Sequence, residues 1–360
     1  MKLSACCVPI LLMSVLMADD EIPSAASRGR VAAISQTLSL PTPIVIAHRG
    51  ASGYLPEHTT ESAAFAHALE ADYIEQDVVL TKDSVAVVLH DVTLNSVSNV
   101  ADVFPDRSRD GKYYVFDFTL SELKQLNVVE RYESESRKRF PRGKGNFQIG
   151  TLKEHIELIQ GLNQSRPHTA GLYVEIKQPA LHRKNGLDPS KVILQTLADY
   201  GYKTSKDKVF LQCFEEPEVL RLRTELKCRL PLIQLLGNTP TAEEIAAISK
   251  VADGIGVKLT AVVSGAKNGK PQVTDVVAAA HEHALMVHVW TYRVDDLPEF
   301  AESPTKLLDW LVKEARVDGI FADHPDVVLT WRKAAHARAE LPGPFHLLKG
   351  GSSKKGASSN

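Results

Sequence analysis

The amino-acid sequence predicts an α/β protein built as a (β/α)8 TIM barrel with a small insertion after the third strand. Three observations support this prediction. The chain of 360 residues has 44% hydrophobic content and can bury a large core. Short apolar segments alternate with helix-patterned segments, which is typical of a parallel sheet. One tight hairpin interrupts the alternation, and eight candidate strands remain when its return strand is set aside.

Nine apolar segments have the length and composition of β-strands. They lie at residues 44–47, 73–80, 85–90, 172–177, 209–214, 232–236, 254–259, 285–290 and 318–323. Seven stretches with helical patterning separate most of them, at residues 61–71, 152–162, 190–200, 217–226, 242–252, 273–284 and 306–315. The barrel is expected to span residues 40–335. Residues 92–148 are rich in charges and aromatic residues, which predicts an insertion at the barrel rim.

The connection between the second and third apolar segments is too short for a crossover helix. Only Thr81–Ser84 separates them, so the two strands are predicted to be antiparallel. A turn centred on Lys82–Asp83 would place Glu75 opposite His90 and Val79 opposite Ala86.

The two ends of the chain have the composition of segments outside the fold. Lys2 precedes an apolar run from Ala5 to Met17, and small and acidic residues follow it. This pattern predicts a signal peptide at residues 1–26, with its cleavage site open and a buried N-terminal helix as the alternative. We therefore expect a periplasmic or secreted protein. Residues 340–360 are expected to be a disordered basic tail.

The overall charge and hydropathy limit the classes of partner. A formal net charge of −2 gives no electrostatic reason to expect nucleic acid as a partner. No segment after the N-terminus is long enough to span a bilayer, so we expect no stable membrane insertion. Cys213 and Cys228 would remain in the mature chain, and the sequence leaves open whether they form a disulfide.

Three carboxylates interrupt apolar strands. Glu75 and Asp77 are two residues apart, so their side chains share one face of a strand, and Glu175 shares a face with Lys177 on another strand. Burying such charges is costly unless they are paired or bind a metal. Oxygen ligands suit a hard divalent cation, Ca²⁺ or Mg²⁺, and the absence of thiolates argues against a structural zinc site.

The end of the first strand carries His48, Arg49 and Gly50 in a row. An imidazole can transfer protons near neutral pH, a guanidinium can bind phosphate oxygens, and a glycine allows a close turn. Taken singly, this triplet is better explained as an ordinary strand-to-loop junction. Likewise, His90 could belong to a turn capped by Asp91, and Glu175 and Lys177 could form a structural ion pair. The Glu75–Asp77 pair still requires a cation, and the combination favours a catalytic site.

The same segments resemble the glycerophosphodiester phosphodiesterases, most closely the bacterial periplasmic type. The matching segments include IVIAHRGASGYLPEHT, ADYIEQDVVL, VAVVLHD, GLYVEIKQP, VHVWTYR and DGIFADHPD, in the family's order from Ile44 to Val328. The resemblance implies hydrolysis of small glycerophosphodiesters to sn-glycerol 3-phosphate and an alcohol. It also implies a divalent metal cofactor, typically Ca²⁺, with Mg²⁺ as the alternative, and it leaves a homodimer open.

The resemblance also assigns expected roles to particular residues. It implies that His48 and His90 are the catalytic acid–base pair and that the metal ligands are Glu75, Asp77 and Glu175. Arg49 and Lys177 match the phosphate-contacting positions, and Trp290 matches an aromatic residue of the pocket. The chain departs from many relatives at Glu57-His58-Thr59, where Glu-Asn-Thr is common.

Two other functions remain as alternatives. A phospholipase-like or sphingomyelinase-D-like barrel would act on intact or lyso-lipids, but it would favour apolar loops at the barrel mouth, and the insertion here is mostly charged. A non-catalytic surface-binding protein would be expected to lack a histidine or a carboxylate of the set, and none is missing. The nucleophile, water or a hydroxyl of the substrate, stays open, as does which histidine is the acid.

Overall fold

Parallel strands form a closed ring in the computed structural model, which describes residues 42–132 and 138–339. The signal peptide and the tail expected at residues 1–26 and 340–360 lie outside these ranges. The strands of the described chain are β1 (Ile44–Ala47), β2 (Tyr73–Leu80), β3 (Ala86–Val88), β4 (Gly171–Ile176), β5 (Val209–Cys213), β6 (Leu232–Leu236), β7 (Gly254–Lys258), β8 (Val263–Lys267), β9 (Lys270–Val273), β10 (Met286–Tyr292) and β11 (Gly319–Ala322).

Eight of these strands make the barrel, in the order β1, β2, β4, β5, β6, β7, β10 and β11. Each is parallel to its neighbours, and β1 closes the ring because it pairs with β2 on one side and β11 on the other. The predicted (β/α)8 barrel is therefore confirmed. Strand β3 lies outside the ring, antiparallel to the end of β2.

The register predicted for the β2–β3 hairpin is wrong by one residue. Val79 pairs with Val87, not with Ala86. The loop takes one residue more than a two-residue turn, since Ser84 adopts a left-handed φ of 61° and Thr81 N donates to Val85 O at 3.0 Å. The ladder ends before His90, so Glu75 and His90 are not cross-strand partners.

A second hairpin, β8–β9, was not predicted. Its strands are short and largely polar, so they lack the apolar signal of a buried strand. The Asn268-Gly269 turn does carry a hairpin signal, because both residues adopt left-handed φ values of 53° and 71°.

The α-helices of the described chain lie on the outside of the barrel or within the insertion. They are α1 (Thr60–Ala68), α2 (Val100–Val103), α3 (Leu120–Leu123), α4 (Leu152–Ser165), α5 (Pro179–Lys184), α6 (Pro189–Asp199), α7 (Glu216–Thr224), α8 (Ala242–Ile248), α9 (Leu259–Val262), α10 (Val276–Glu282), α11 (Pro304–Asp309) and α12 (Pro325–Ala339). Threonine capping boxes begin α3, α4 and α8, and such a cap contributes about 1 kcal/mol to helix stability. No helix within the described residues has both the length and the apolar composition needed to cross a bilayer.

The described part of residues 92–148 has an apolar core of its own. Leu94, Val115 and Phe118 are buried there together with Val79 of β2 and Val87 of β3. The insertion is thus anchored on the hairpin next to the barrel mouth. Elsewhere in the barrel, Cys213 and Cys228 are both buried and unbridged.

Candidate active site

The site lies one side-chain layer above an apolar plug inside the barrel. Ile46, Tyr173, Phe210, Ile233 and Phe321 form the plug. Since side chains on one face of a strand recur every two residues, the next inward positions on the same strands lie closer to the carboxyl ends. Those positions hold His48, Glu175, Gln212, Leu235 and Asp323. The plug therefore forms the floor of a polar layer at the face where (β/α)8 barrels carry their active sites.

A cavity of about 140 Å³ opens in this layer. Its lining residues are His48, Arg49, Glu75, Asp77, His90, Glu175, Gln212, Phe214, Leu235, Trp290, Thr291, Arg293 and Phe321. Seven of the eight sequence-predicted site residues are among them. Lys177 is buried beside the cavity, with its Nζ 2.7 Å from Glu175 Oε1. The ion pair named above as an alternative is thus present.

The His48-Arg49-Gly50 triplet forms a tight turn at the end of β1. Arg49 and Gly50 both have left-handed φ values, 57° and 82°. A Cβ at Gly50 would lie 2.5 Å from Ser62 Oγ, so a larger residue would be both strained and in collision. In this turn the backbone N–H of Arg49 donates a hydrogen bond to Glu75 Oε2 at 2.8 Å, which joins the end of the first strand to the carboxylate cluster.

Glu75, Asp77 and Glu175 form that cluster. One ligand oxygen from each lies within 4.8 Å of the others, and all three side chains are buried. Gln212 Nε2 donates to Glu75 Oε1 at 2.9 Å, and His58 Nε2 lies 2.8 Å from Asp77 Oδ2. Strands β2 and β4 pair directly, with Asp77 beside Glu175, which explains why the three carboxylates converge.

The electrostatics of the cluster favour binding of a cation. Burial and the neighbouring Asp77 and Glu175 carboxylates hold the pKa of Glu75 well above its usual range. Burial raises the pKa of Glu175 to about 8, against the attraction of Lys177. Burial alone would raise the pKa of Asp77, but Lys177 and His58 hold it well below its usual range. In the described chain, Asp77 Oδ1 is buried without a hydrogen-bond partner. Three hard oxygen donors with an open ligand atom fit a divalent cation such as Ca²⁺ or Mg²⁺.

Each candidate histidine is held by an aspartate. His48 Nδ1 lies 2.6 Å from Asp323 Oδ1, and His90 Nδ1 lies 2.6 Å from Asp91 Oδ1. An ionised carboxylate only accepts, so Nδ1 carries the proton and Nε2 is left for proton transfer. Burial, and next Arg49, lowers the pKa of His48 to about 3, and the same causes lower the pKa of His90. In the ligand-free site, both shifts favour the neutral form of the ring, which is the form that a general base needs.

Arg49 and Trp290 form two further walls of the cavity. Arg49 Nη1 donates to Glu57 Oε2 at 2.9 Å, and its Nε lies 3.9 Å from Asp77 Oδ2. The Trp290 ring meets the partly exposed ring of Phe214 edge-on, with centroids 5.8 Å apart. The cavity thus combines a cationic side with an aromatic side.

Several residues of the site were not predicted from the amino-acid sequence. Asp323 directly follows β11 in the quoted segment DGIFADHPD, and its position just after a strand end was an available signal. Gln212 sits at an inward position of β5 but is not charged, so it was overlooked. Arg131 and Arg139 belong to the insertion, and no local pattern in the sequence places them near the barrel mouth.

Fold and site together define a class of protein: a (β/α)8 barrel whose cavity holds two aspartate-bound histidines and a buried carboxylate cluster suited to a hard cation. Comparison with known proteins narrows that class. The profile of the Glycerophosphoryl diester phosphodiesterase family matches residues 48–327. The glycerophosphodiester phosphodiesterase of Haemophilus influenzae is 38% identical over 326 residues, which cover 81% of this chain and 90% of that protein. The one of Treponema pallidum is 32% identical over 320 residues, covering 79% and 90%.

The chain belongs to the glycerophosphoryl diester phosphodiesterase family, and it is an enzyme with that activity, a phosphoric diester hydrolase. Solved structures agree on the fold. An Oleispira antarctica phosphodiesterase in complex with the product sn-glycerol-3-phosphate has a TM-score of 0.58 at 19% identity, covering 81% of this chain and 97% of that one. For a glycerophosphodiester phosphodiesterase from Agrobacterium tumefaciens the TM-score is 0.55 at 21% identity, with coverage of 80% and 99%.

Proposed function

We propose that the enzyme hydrolyses small glycerophosphodiesters, such as glycerophosphocholine and glycerophosphoethanolamine, to sn-glycerol 3-phosphate and the free alcohol, with a divalent metal as cofactor. One observation carries the proposal. Two aspartate-bound histidines, an arginine and a cluster of three carboxylates line the same small cavity. The sn-glycerol-3-phosphate held by the Oleispira phosphodiesterase supports the product.

In the proposed reaction, His48 and His90 share the two proton transfers. The Nε2 of one ring accepts the proton of the attacking hydroxyl, from water or from the neighbouring glycerol hydroxyl, as the new P–O bond forms. The other ring, whose protonated form the negative charge of the bound phosphodiester favours, donates its proton to the leaving alcohol oxygen as that P–O bond breaks. Attack by the glycerol hydroxyl would give a cyclic phosphate first, which water then opens.

The remaining groups of the site bind the phosphate. Arg49 presents its guanidinium to the phosphate oxygens while Glu57 fixes its orientation. Lys177 adds a second positive charge beside the cluster. Glu75, Asp77 and Glu175 would hold the cation, with Ca²⁺ proposed first and Mg²⁺ second. When bound, that cation supplies positive charge that offsets the charge of the phosphate oxygens.

The proposal is tested by assaying the purified protein on glycerophosphocholine and lysophosphatidylcholine side by side, with Ca²⁺ present. The expected result is release of sn-glycerol 3-phosphate from the first substrate at a much higher kcat/KM than any turnover of the second. Preferred cleavage of lysophosphatidylcholine would instead support a lipid-acting barrel enzyme. No turnover of either substrate would contradict the proposed specificity.

We also propose export to the periplasm or the outside of the cell, on the strength of the apolar run from Ala5 to Met17. A homodimer is proposed as the alternative to a monomer, and light scattering on the purified protein distinguishes the two by mass.

A further inference from the structure

Two arginines of the insertion each contact an aspartate of the site. Arg131 and Arg139 flank residues 133–137 in the chain. Arg131 Nη1 donates to Asp91 Oδ2 at 2.8 Å, and Arg139 Nη2 donates to Asp323 Oδ2 at 2.5 Å. Their partners are the same two aspartates that hold the two candidate catalytic histidines.

The two sets of contacts follow one pattern. In each, the aspartate binds the histidine Nδ1 through Oδ1, at 2.6 Å, and the arginine through Oδ2. We propose that Arg131 and Arg139 are positioning residues, Arg131 acting on His90 through Asp91 and Arg139 acting on His48 through Asp323. The inference rests on the proposed roles of the two histidines.

A second hydrogen-bond partner of the aspartate restricts the orientation of the histidine ring. A carboxylate held only by an imidazole can rotate about its own bonds and carry the ring with it. When its other oxygen accepts from a guanidinium, the carboxylate plane is fixed, and the imidazole Nε2 keeps one direction toward the cavity. At Asp323, which is buried, charge supports the same arrangement, because a buried carboxylate is costly without a nearby cation.

The surroundings of the two arginines differ, and the difference predicts different effects. Arg131 also binds Glu57 through Nε and Nη2, at 2.8 and 2.7 Å, and Glu57 in turn holds Arg49. Arg131 therefore acts on a phosphate-binding group as well as on His90. Arg139 has different further partners: besides Asp323 it binds Asp295 and the carbonyl oxygen of Ser52. Asp323 keeps Arg293 as a further partner at 2.9 Å.

The test compares Arg131→Gln and Arg139→Gln with His90→Ala and His48→Ala on two substrates. One substrate is glycerophosphocholine, and the other is the p-nitrophenyl diester of glycerol phosphate, whose leaving group needs little protonation. Arg107→Gln is the matched control, because Arg107 also lies in the insertion and pairs with a carboxylate, that of Glu122 at 2.7 Å. That carboxylate contacts neither histidine.

Both arginine variants should lower kcat on glycerophosphocholine about 10- to 100-fold, the usual effect of losing a group that orients a functional residue. For Arg139→Gln the KM should stay near the wild-type value, whereas for Arg131→Gln it should rise because Arg49 loses its support. On the p-nitrophenyl substrate, each arginine variant should respond as the alanine variant of its own histidine does. The variant of the arginine linked to the general acid should regain activity, and the variant of the arginine linked to the general base should not.

Three results would overturn the inference. One is a kcat equal to that of Arg107→Gln for both arginine variants. Another is recovery of activity on the p-nitrophenyl substrate by the arginine variant that is linked to the histidine whose own alanine variant does not recover. The third is an equal loss on both substrates for both variants with a lowered melting temperature, which would mean a purely structural role. If a glutamine variant does not fold, Arg139→Lys or Arg131→Lys keeps the charge and loses the paired donors. Failure of the wild-type protein to release sn-glycerol 3-phosphate would instead contradict the proposed function itself.

Discussion

Binding of a divalent cation should stabilise the fold, and the effect should depend on pH in a direction set by Glu175. The pKa of this buried carboxyl is raised to about 8 from an ordinary value of 4.5. A carboxyl whose pKa is higher in the folded protein favours folding while it is protonated. That contribution is complete below about pH 4.5 and is lost as the pH rises through about 8. Ionised Glu175 therefore destabilises the folded state of the metal-free protein at alkaline pH. At the same pH the ionised cluster should bind a cation most tightly.

The size of the effect follows from mass action. A cation at a hundred times its dissociation constant stabilises the folded state by about 2.7 kcal/mol. For a barrel of roughly 300 residues, with an unfolding entropy of about 2.1 cal/mol/K per residue, this raises the melting temperature by about 4 °C. At pH 5 most of the rise should disappear, since binding must then displace a proton from Glu175.

The measurement is thermal unfolding of chelator-treated protein with and without Ca²⁺ or Mg²⁺, at pH 8 and at pH 5. Glu75→Gln removes one ligand oxygen of the cluster and should abolish the rise at pH 8. Glu70→Gln, at an exposed glutamate paired with Lys333, should leave it unchanged. The reasoning fails if neither cation raises the melting temperature at pH 8, or if Glu75→Gln responds as the wild type does.

Three further predictions concern activity and processing. His48→Ala and His90→Ala should each lower kcat about 10²–10⁴-fold with the fold intact, and the double variant should lose less than the product of the two losses. His281→Ala, which breaks a histidine–aspartate pair on the outside of the barrel, is the control; a normal kcat in either single variant would make that histidine structural. Excess EDTA should abolish hydrolysis and added Ca²⁺ or Mg²⁺ should restore it, whereas full activity after exhaustive dialysis against EDTA would exclude the metal. Mass spectrometry of the native protein should find the run from Ala5 to Met17 removed, and an intact Met1 would argue against export by cleavage.

Much of the fold could be predicted because its signals are local. Apolar runs separated by helical stretches indicate parallel strands, and eight such strands are enough to close a ring. The spacing of Glu75 and Asp77 places both side chains on one face whatever surrounds the strand. The predicted register of the β2–β3 hairpin was wrong for a different local reason. Ser84 adopts a left-handed backbone conformation that adds a residue to the turn, and a serine in the sequence does not indicate a positive φ.

In the candidate site, too, some residues could be predicted from the sequence and others could not. The amino-acid sequence alone predicted His48, Arg49, Glu75, Asp77 and Glu175 as site residues. Each is a polar residue in or beside an apolar strand, where burying a polar side chain is costly. Only the closed barrel brings Asp323 to His48, because β11 and β1 become neighbours when the ring closes. Likewise, only the packing of the insertion carries Arg131 and Arg139 to the two aspartates. Such contacts join residues far apart in the chain, and their geometry depends on how whole elements pack, which no short stretch of sequence encodes.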